Sequence, residues 1–361
     1  MQGGLSGTLG RRRSKSSMPV KSLSIFSEGC IQPMIDRIVE IANPARLSIR
    51  DAQLVIERPK EEQLTLPFTT PLSEIAVLLL AHPQISLSQA VLSRIAEAGG
   101  SVVTIDGNFL PASMLLPVQS HFVQTERFAK QMEMTLPTRK RLWQQIVRAK
   151  IKAQGELLRE LHGNDHGLIA MSSRVRTGDQ GNLEAQAARK YWSLVFGDNK
   201  FRRGSDKSDQ NRHLDYGYTV LRAAVARALC SAGLHPSIGL QHKNRYDAFC
   251  LAADVMEPFR PLVDRRVSQW IAKENAEGPF DSKTKSWMIG ATTSRYILDR
   301  EERSLFDIVL RTANSLAKCI TGEARDPEIP SLLSPYVEDV TMRRGVRRVE
   351  ADEMRAAVSA N

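Results

Sequence analysis

The apolar pattern changes period once along this chain, near Pro117, and that change divides what the chain can fold into. Upstream of it the apolar residues come in short runs with strand character. These are Arg37–Ile41, Leu47–Arg50, Gln53–Glu57, Leu64–Phe68, Ile75–Ala81 and Ser101–Ile105. Turns are expected at Asp51-Ala52 and Asp106-Gly107, the first closing a hairpin. One segment breaks the pattern. Leu87, Val91, Leu92 and Ile95 follow helical spacing, so Leu87–Ala98 reads as a short amphipathic helix ended by Gly99-Gly100. Downstream of Pro117, long runs poor in Gly and Pro carry the 3.6-residue repeat: Arg139–Glu160, Glu184–Phe196, Gly217–Gly233, Asp247–Lys273 and Glu301–Lys318. Pro258 falls inside the fourth and predicts a kink or a fresh helix start. The predicted class is therefore α+β: a small N-terminal β domain with one helix (residues 34–113) and an all-α C-terminal domain (residues 117–315).

The two ends and one loop lack such periodicity. Residues 1–33 are rich in Gly and Ser, with Arg11, Arg12, Arg13, Lys15 and Lys21 set against Glu28, and read as a disordered basic extension. Residues 322–361 read as a polar tail. The loop Asp198–Arg212 is polar and basic and is expected to be mobile. The formal net charge is +10, of which the first 33 residues supply +4, so basicity points only weakly to an anionic partner. Cys30, Cys230, Cys250 and Cys319 form no CxxC pair or metal-finger spacing, which fits reduced thiols in a cytoplasmic protein. The longest apolar run, Ile75–Ala81, is far short of a membrane span, so no membrane association is expected.

Three segments carry residues with chemical potential. Glu184 opens a helix in Asn182-Leu-Glu-Ala-Gln-Ala-Ala-Arg-Lys-Tyr191-Trp192; alone, it reads as an acid placed against a helix dipole. His242 ends Gly239-Leu-Gln-His242 just before a helix; alone, it reads as a structural histidine. In the third segment Asp247, Asp254 and Glu257 share one face of the expected helix, either as a solvated face beside Arg260 and Arg265 or as a cation site. Taken together, the two carboxylates Glu184 and Glu257 with the imidazole of His242 suit a hard divalent ion, Mg²⁺ or Mn²⁺, whereas the absence of Cys from the set argues against structural zinc.

The local motifs and their spacing carry a resemblance. Glu184 precedes Tyr191-Trp192, Tyr216-Gly217-Tyr218 opens a long helix, Gly239 precedes His242, and Leu251-Ala-Ala-Asp254-Val-Met-Glu257-Pro-Phe-Arg260-Pro261 follows. His242 lies 58 residues after Glu184, and Glu257 lies 15 after His242. Over about residues 35–310 this resembles the CRISPR-associated integrase family, CRISPR-associated protein one, in wording closest to its type II branch.

The resemblance implies an N-terminal β domain that dimerises and a helical catalytic domain. It implies that Glu184, His242 and Glu257 are catalytic metal ligands, with Asp254 and Tyr191 as supporting residues behind them. The implied activity is metal-dependent endonuclease and integrase chemistry on double-stranded DNA, the insertion of captured fragments into a CRISPR repeat array. The implied assembly is a homodimer that joins the small CRISPR-associated protein two in a heterohexamer. Lys190, Lys243, Arg245 and Arg260 are candidate phosphate contacts, and each reads equally as a salt-bridge partner. Tyr191 and Tyr218 suit core packing as well as site ordering. A branched-DNA repair nuclease and a catalytically degenerate DNA-binding scaffold are the alternative functions.

Overall fold

The computed structural model describes residues 37–58, 67–106, 111–117, 121–198, 200–204, 209–274 and 280–335. The expected basic extension, the polar tail beyond Pro335, Cys30, most of the run Leu64–Phe68 and Gly107 lie outside them.

The β region forms two four-stranded sheets. The first has the order β1 (Arg37–Ile41), β5 (Ile75–Leu80), β7 (Ser101–Ile105), β8 (Pro111–Leu115). β1, β5 and β7 run parallel and β8 antiparallel, with Val39 opposite Leu78 and Leu79 opposite Val103. The second has the order β4 (Phe68–Pro71), β3 (Gln53–Glu57), β2 (Ala45–Arg50), β6 (Ile85–Leu87). The β2–β3 hairpin turns at Asp51-Ala52, as the sequence predicts, with both residues at positive φ. The expected helix is α1 (Gln89–Glu97); Leu87, assigned to it from the sequence, closes β6 instead.

β5 reads Ile-Ala-Val-Leu-Leu-Leu because both its faces are covered. Leu78 and Val102 face a core built within the β region with Leu47, Leu54, Val91 and Ile95. Val77, Leu79 and Val103 face the larger core of the helical region. The β region therefore contributes one face of its first sheet to the larger core and keeps a second core of its own. Tyr216 donates to Glu40 Oε1 (2.8 Å) across the junction, and Arg227 Nε donates to the Gly99 carbonyl (2.6 Å).

The helical region comprises α2 (Gln124–Met132), α3 (Leu136–His162), α4 (Leu168–Ser173), α5 (Leu183–Trp192), α6 (Asp209–Ser231), α7 (Cys250–Met256), α8 (Arg260–Glu274), α9 (Ser282–Thr293) and α10 (Leu305–Thr321). α3 is the spine. Thr135 caps it through the Thr138 amide, a proline occupies its first turn, and Gly163 ends it in the left-handed region at φ 73°. Its stripe Leu142, Ile146, Val147, Ile151, Leu157 and Leu158 is buried.

Four sequence expectations change. The segment expected to be one helix from Asp247 to Lys273 is α7, a 3-10 turn Glu257–Phe259 with Pro258 at its start, and α8; Asp247 lies before it and accepts from the Phe249 amide. Asp254 and Glu257 are accordingly buried rather than on a solvated acidic face. α6 begins at Asp209, so the end of the loop expected to be mobile is helical, and Asn211 there fixes Arg203 and the Gly204 amide. The C-terminal region is mostly helical but carries a small antiparallel sheet of β9 (Arg295–Leu298), β10 (Glu301–Ser304) and β11 (Ser334–Pro335), so α10 starts at Leu305 and not at Glu301. Cys230, Cys250 and Cys319 are in no disulfide among the described residues, and no described helix is long and apolar enough to cross a membrane.

Candidate active site

Glu184 enters the site from the first turn of α5. The helix is not capped by Glu184 itself. Asp179 accepts from the Leu183 and Glu184 amides (both 2.9 Å), which leaves the Glu184 carboxylate available for another partner. Glu257 enters from the 3-10 turn between α7 and α8, where Pro258 interrupts the helical ladder. Residues far apart in sequence thereby meet on one cation. Lys150, in the middle of α3, places Nζ 2.7 Å from Glu184 Oε1 and 2.6 Å from Glu257 Oε2.

Burial alone would raise the Glu257 carboxyl. Arg260, whose Nε is 3.1 Å from Glu257 Oε1, and Lys150 outweigh it, so this group sits below the usual carboxylate range. Burial alone would likewise lower the Lys150 ammonium, but Glu257 and then Glu184 hold it above the usual lysine value. The Lys150 contact to Glu257 Oε2 is one of charge and not an aligned hydrogen bond, since that buried oxygen lacks a partner of hydrogen-bond geometry among the described residues.

His242 arrives on the turn from Gly239. Asp254, fully buried, accepts from the Leu240, Gln241 and His242 amides and stands 2.5 Å from the ring Nδ1. An ionised carboxylate only accepts, so in the neutral ring Nδ1 carries the proton and the Nε2 lone pair is left for another partner. The hydrogen bond to Asp254 raises the imidazole pKa; partial burial opposes this, and the charges of Asp254, Glu257 and Glu184 add to the rise. Trp143 packs edge-on against the ring at 6.0 Å. Gly239 is required by close approach, because a Cβ there would lie 2.4 Å from the His242 carbonyl oxygen.

Behind the carboxylates lies a buried polar chain. Arg260 stacks on Tyr218 at 4.7 Å, and the Tyr218 and Tyr191 hydroxyls both donate to Asp264, the second at 2.7 Å. Burial pushes Asp264 up to about 6, although both hydroxyls pull it the other way. The Tyr191 hydroxyl is thus bonded to Asp264 and, among the described residues, to none of the three ligand candidates.

The structure brings Glu184 and Glu257 together and orients His242 through Asp254. Among the described residues no three His, Cys, Asp or Glu side chains stand as a closed metal cage, and the Lys150 ammonium lies between the two acids. The residues nevertheless fit a divalent ion. Two carboxylates already converge on a cation, Glu257 Oε2 is a buried acceptor without an aligned donor, and His242 is held by the carboxylate–imidazole arrangement usual behind a metal ligand.

The basic candidates separate. Lys190, Lys243 and Arg245 are exposed, Arg245 lying over the Tyr246 ring at 4.7 Å. Arg260 is instead the salt-bridge partner of Glu257. Sequence reasoning missed Lys150, Asp179 and Asp264. The available signal for Lys150 was a lysine adjoining the apolar stripe of α3; for Asp264, a second acid following the Glu257 motif by one helical face.

The fold and site define an α+β protein whose helical half holds a carboxylate pair, one member buried and one partly exposed, beside an oriented histidine. The family model described as CRISPR associated protein Cas1 matches residues 39–302, and the chain belongs to that family. A relative from Neisseria meningitidis serogroup C (strain 8013), "CRISPR-associated endonuclease Cas1", is 34% identical over 82% of this chain and 96% of its own length. One from Pyrobaculum aerophilum, "CRISPR-associated endonuclease Cas1 2", is 24% identical over 79% and 99%. Among solved structures, a CAS1 protein from Thermotoga maritima matches 82% of this chain and 100% of its own at TM-score 0.64 and 16% identity. A casposase bound to integration product matches 90% and 98% at TM-score 0.64 and 17% identity. These two likenesses show the fold.

Proposed function

We propose that this chain is a metal-dependent DNA endonuclease and integrase that inserts captured double-stranded DNA into a CRISPR repeat array. The observation that carries this reading is the convergence of Glu184 and Glu257 on one cationic position, next to a histidine held by Asp254. Glu184, Glu257 and His242 through Nε2 would hold Mg²⁺ or Mn²⁺, which when bound supplies Lewis-acid polarisation of a phosphodiester and charge stabilisation on its oxygens.

The chain's own residues do the rest. Asp254 fixes the His242 tautomer and the turn that presents it. Arg260, stacked on Tyr218, holds Glu257 from the side away from Lys150. Lys190, Lys243 and Arg245 are exposed cations suited to the DNA backbone. In strand transfer the 3′-oxygen of the captured fragment forms a bond to phosphorus at the repeat edge, and the bond from that phosphorus to the neighbouring 3′-oxygen breaks. One phosphodiester replaces another, so no covalent enzyme intermediate is needed. Water in place of the 3′-hydroxyl makes the same site a nuclease.

The proposed assembly is a homodimer formed through the β region and joined by the small CRISPR-associated protein two, in a cytoplasmic complex. Its support is the family, together with the fold likeness to a chain of a "Cas6-RT-Cas1--Cas2 complex" at TM-score 0.63, which covers 86% of this chain and 37% of that one. The test is Mn²⁺-dependent strand transfer into a repeat-containing plasmid. His242→Ala and Glu257→Ala are each expected to abolish it, and activity close to wild type in either variant overturns the assignment.

A further inference from the structure

Lys150 sits in the spine helix next to Val147 and Ile151, where a buried ammonium is unfavourable unless it is compensated. Its side chain is 12% exposed and that of Glu257 only 4%, so their contact is not an exchangeable surface ion pair. Both of its carboxylate partners approach Nζ within 2.7 Å. Without a cation at that point, Glu184 Oε1 and Glu257 Oε2 would face each other as uncompensated neighbours, with Arg260 relieving only the other oxygen of Glu257.

We infer that Lys150 is a resident counter-cation: it holds Glu184 and Glu257 together in the metal-free protein and competes with the divalent ion for the position between them. The inference rests on the metal-site reading above. The residue type suits the role. A lysine is a compact point charge on a flexible four-carbon stem and can withdraw, whereas an arginine fork would pin two carboxylates in place. The consequence is a site that stays assembled without metal and binds the ion more weakly than its ligand set alone would. Lys150 is thus a positioning residue that sets metal affinity, separate from the ligands themselves.

The experiment uses the full-length chain, stripped with EDTA and titrated with Mn²⁺ while free Mn²⁺ is followed by electron paramagnetic resonance. Melting temperature is recorded with and without the ion. Lys150→Met is expected to melt lower than wild type in EDTA yet bind Mn²⁺ roughly tenfold tighter (~1.4 kcal/mol), because the ion no longer has to displace an ammonium from between Glu184 and Glu257. Lys150→Gln, which keeps a hydrogen-bonding head without the charge, shifts both quantities in the same direction and remains informative if the methionine variant does not fold. Glu257→Gln is the control for the site. Mn²⁺ binding that is lost in Glu257→Gln but unchanged or weaker in both Lys150 variants overturns this inference alone. Wild-type protein showing no binding that Glu257→Gln removes overturns the metal-site reading, and the inference with it.

Discussion

Asp254 holds His242 twice, with Oδ1 2.5 Å from the ring Nδ1 and 3.3 Å from the backbone nitrogen. Its other oxygen takes the Leu240 and Gln241 amides at 2.6 and 3.1 Å. One buried carboxylate therefore builds the turn and orients the ring. Asp254→Asn keeps the shape but has one acceptor oxygen in place of two, so its NH2 faces either the ring N–H or the Leu240 and Gln241 amides, and Mn²⁺ affinity is expected to fall ~10–100-fold, the usual effect of removing a partner behind a metal-binding histidine. Asp254→Ala also strands the turn amides, and urea unfolding should show a further loss at ~1–3 kcal/mol per buried unpaired donor. Wild-type metal affinity in Asp254→Asn would show that the contact does not orient the ring.

Asp264 gives the fold a pH dependence of known sign. Its carboxyl is pushed up to about 6 in the folded chain, chiefly by burial, against about 3.9 when unfolded. Between those values the folded state binds more protons than the unfolded one, so this group's contribution to stability is full below about pH 4 and is lost as pH rises through about 6. Asp264→Asn does not titrate. Relative to wild type, its unfolding free energy should therefore improve by up to ~3 kcal/mol between pH 4 and pH 7. Urea unfolding at both pH values measures this, and a difference between the two proteins that is independent of pH counts against it.

What the sequence revealed and what it hid have different physical origins. β5 was legible because a strand covered on both faces must be a continuous apolar run, and the shift at Pro117 because the helices beyond it carry a 3.6-residue apolar repeat with few interior Gly and Pro. Glu184, His242 and Glu257 stood out through contiguous motifs in which each residue is fixed by its immediate neighbours. Lys150 has no such neighbourhood. It is one lysine among several on α3, and only the folding of α5 and the Pro258 turn onto that helix distinguishes it from Lys140 or Lys152. Placing Asp247 on a helical face with Asp254 failed because the Asp247 side chain caps the Phe249 amide and the helix starts only at Cys250. The β9–β10 hairpin was hidden because its turn puts Asp299 and Arg300 at φ 52° and 66° with no glycine to announce it. The start of α6 was hidden because its first turns are polar.

Tyr216 ties the two regions together through Glu40, 176 residues away in sequence. Burial raises the Glu40 carboxyl, with the Tyr216 hydroxyl and then Lys285 opposing that rise. Removal of the hydroxyl in Tyr216→Phe leaves a largely buried acid short of a donor, and the unfolding free energy should drop by ~1–3 kcal/mol. Glu40→Gln retains an acceptor oxygen and should lose less. Chemical denaturation of the two variants orders them, and a larger loss in Glu40→Gln would mean that the junction depends on the charge and not on this hydrogen bond.

Gly217, between the two tyrosines, is set by packing and not by backbone freedom. A Cβ there would lie 2.5 Å from Val263 Cγ1, closer than two carbon atoms can stand, at the crossing of α6 and α8. Alanine is ~1 kcal/mol the better helix former, so Gly217→Ala tests which effect wins. The valine rotamer is stiff in a helix and has little room to yield. Overpacking should therefore prevail, with a net destabilisation of ~1–3 kcal/mol. Val263→Ala removes the offending methyl and alone should lose a similar amount by leaving a cavity. In the double variant the new methyl fills space the valine vacated, so the two losses should fall short of their sum by ~0.5–3 kcal/mol in a double-mutant cycle. Strict additivity would show that α6 and α8 separate to accept the methyl. In that case Tyr218, one residue along, should also lose its hold on Asp264, and the pH dependence of stability assigned to that acid should change in Gly217→Ala as well.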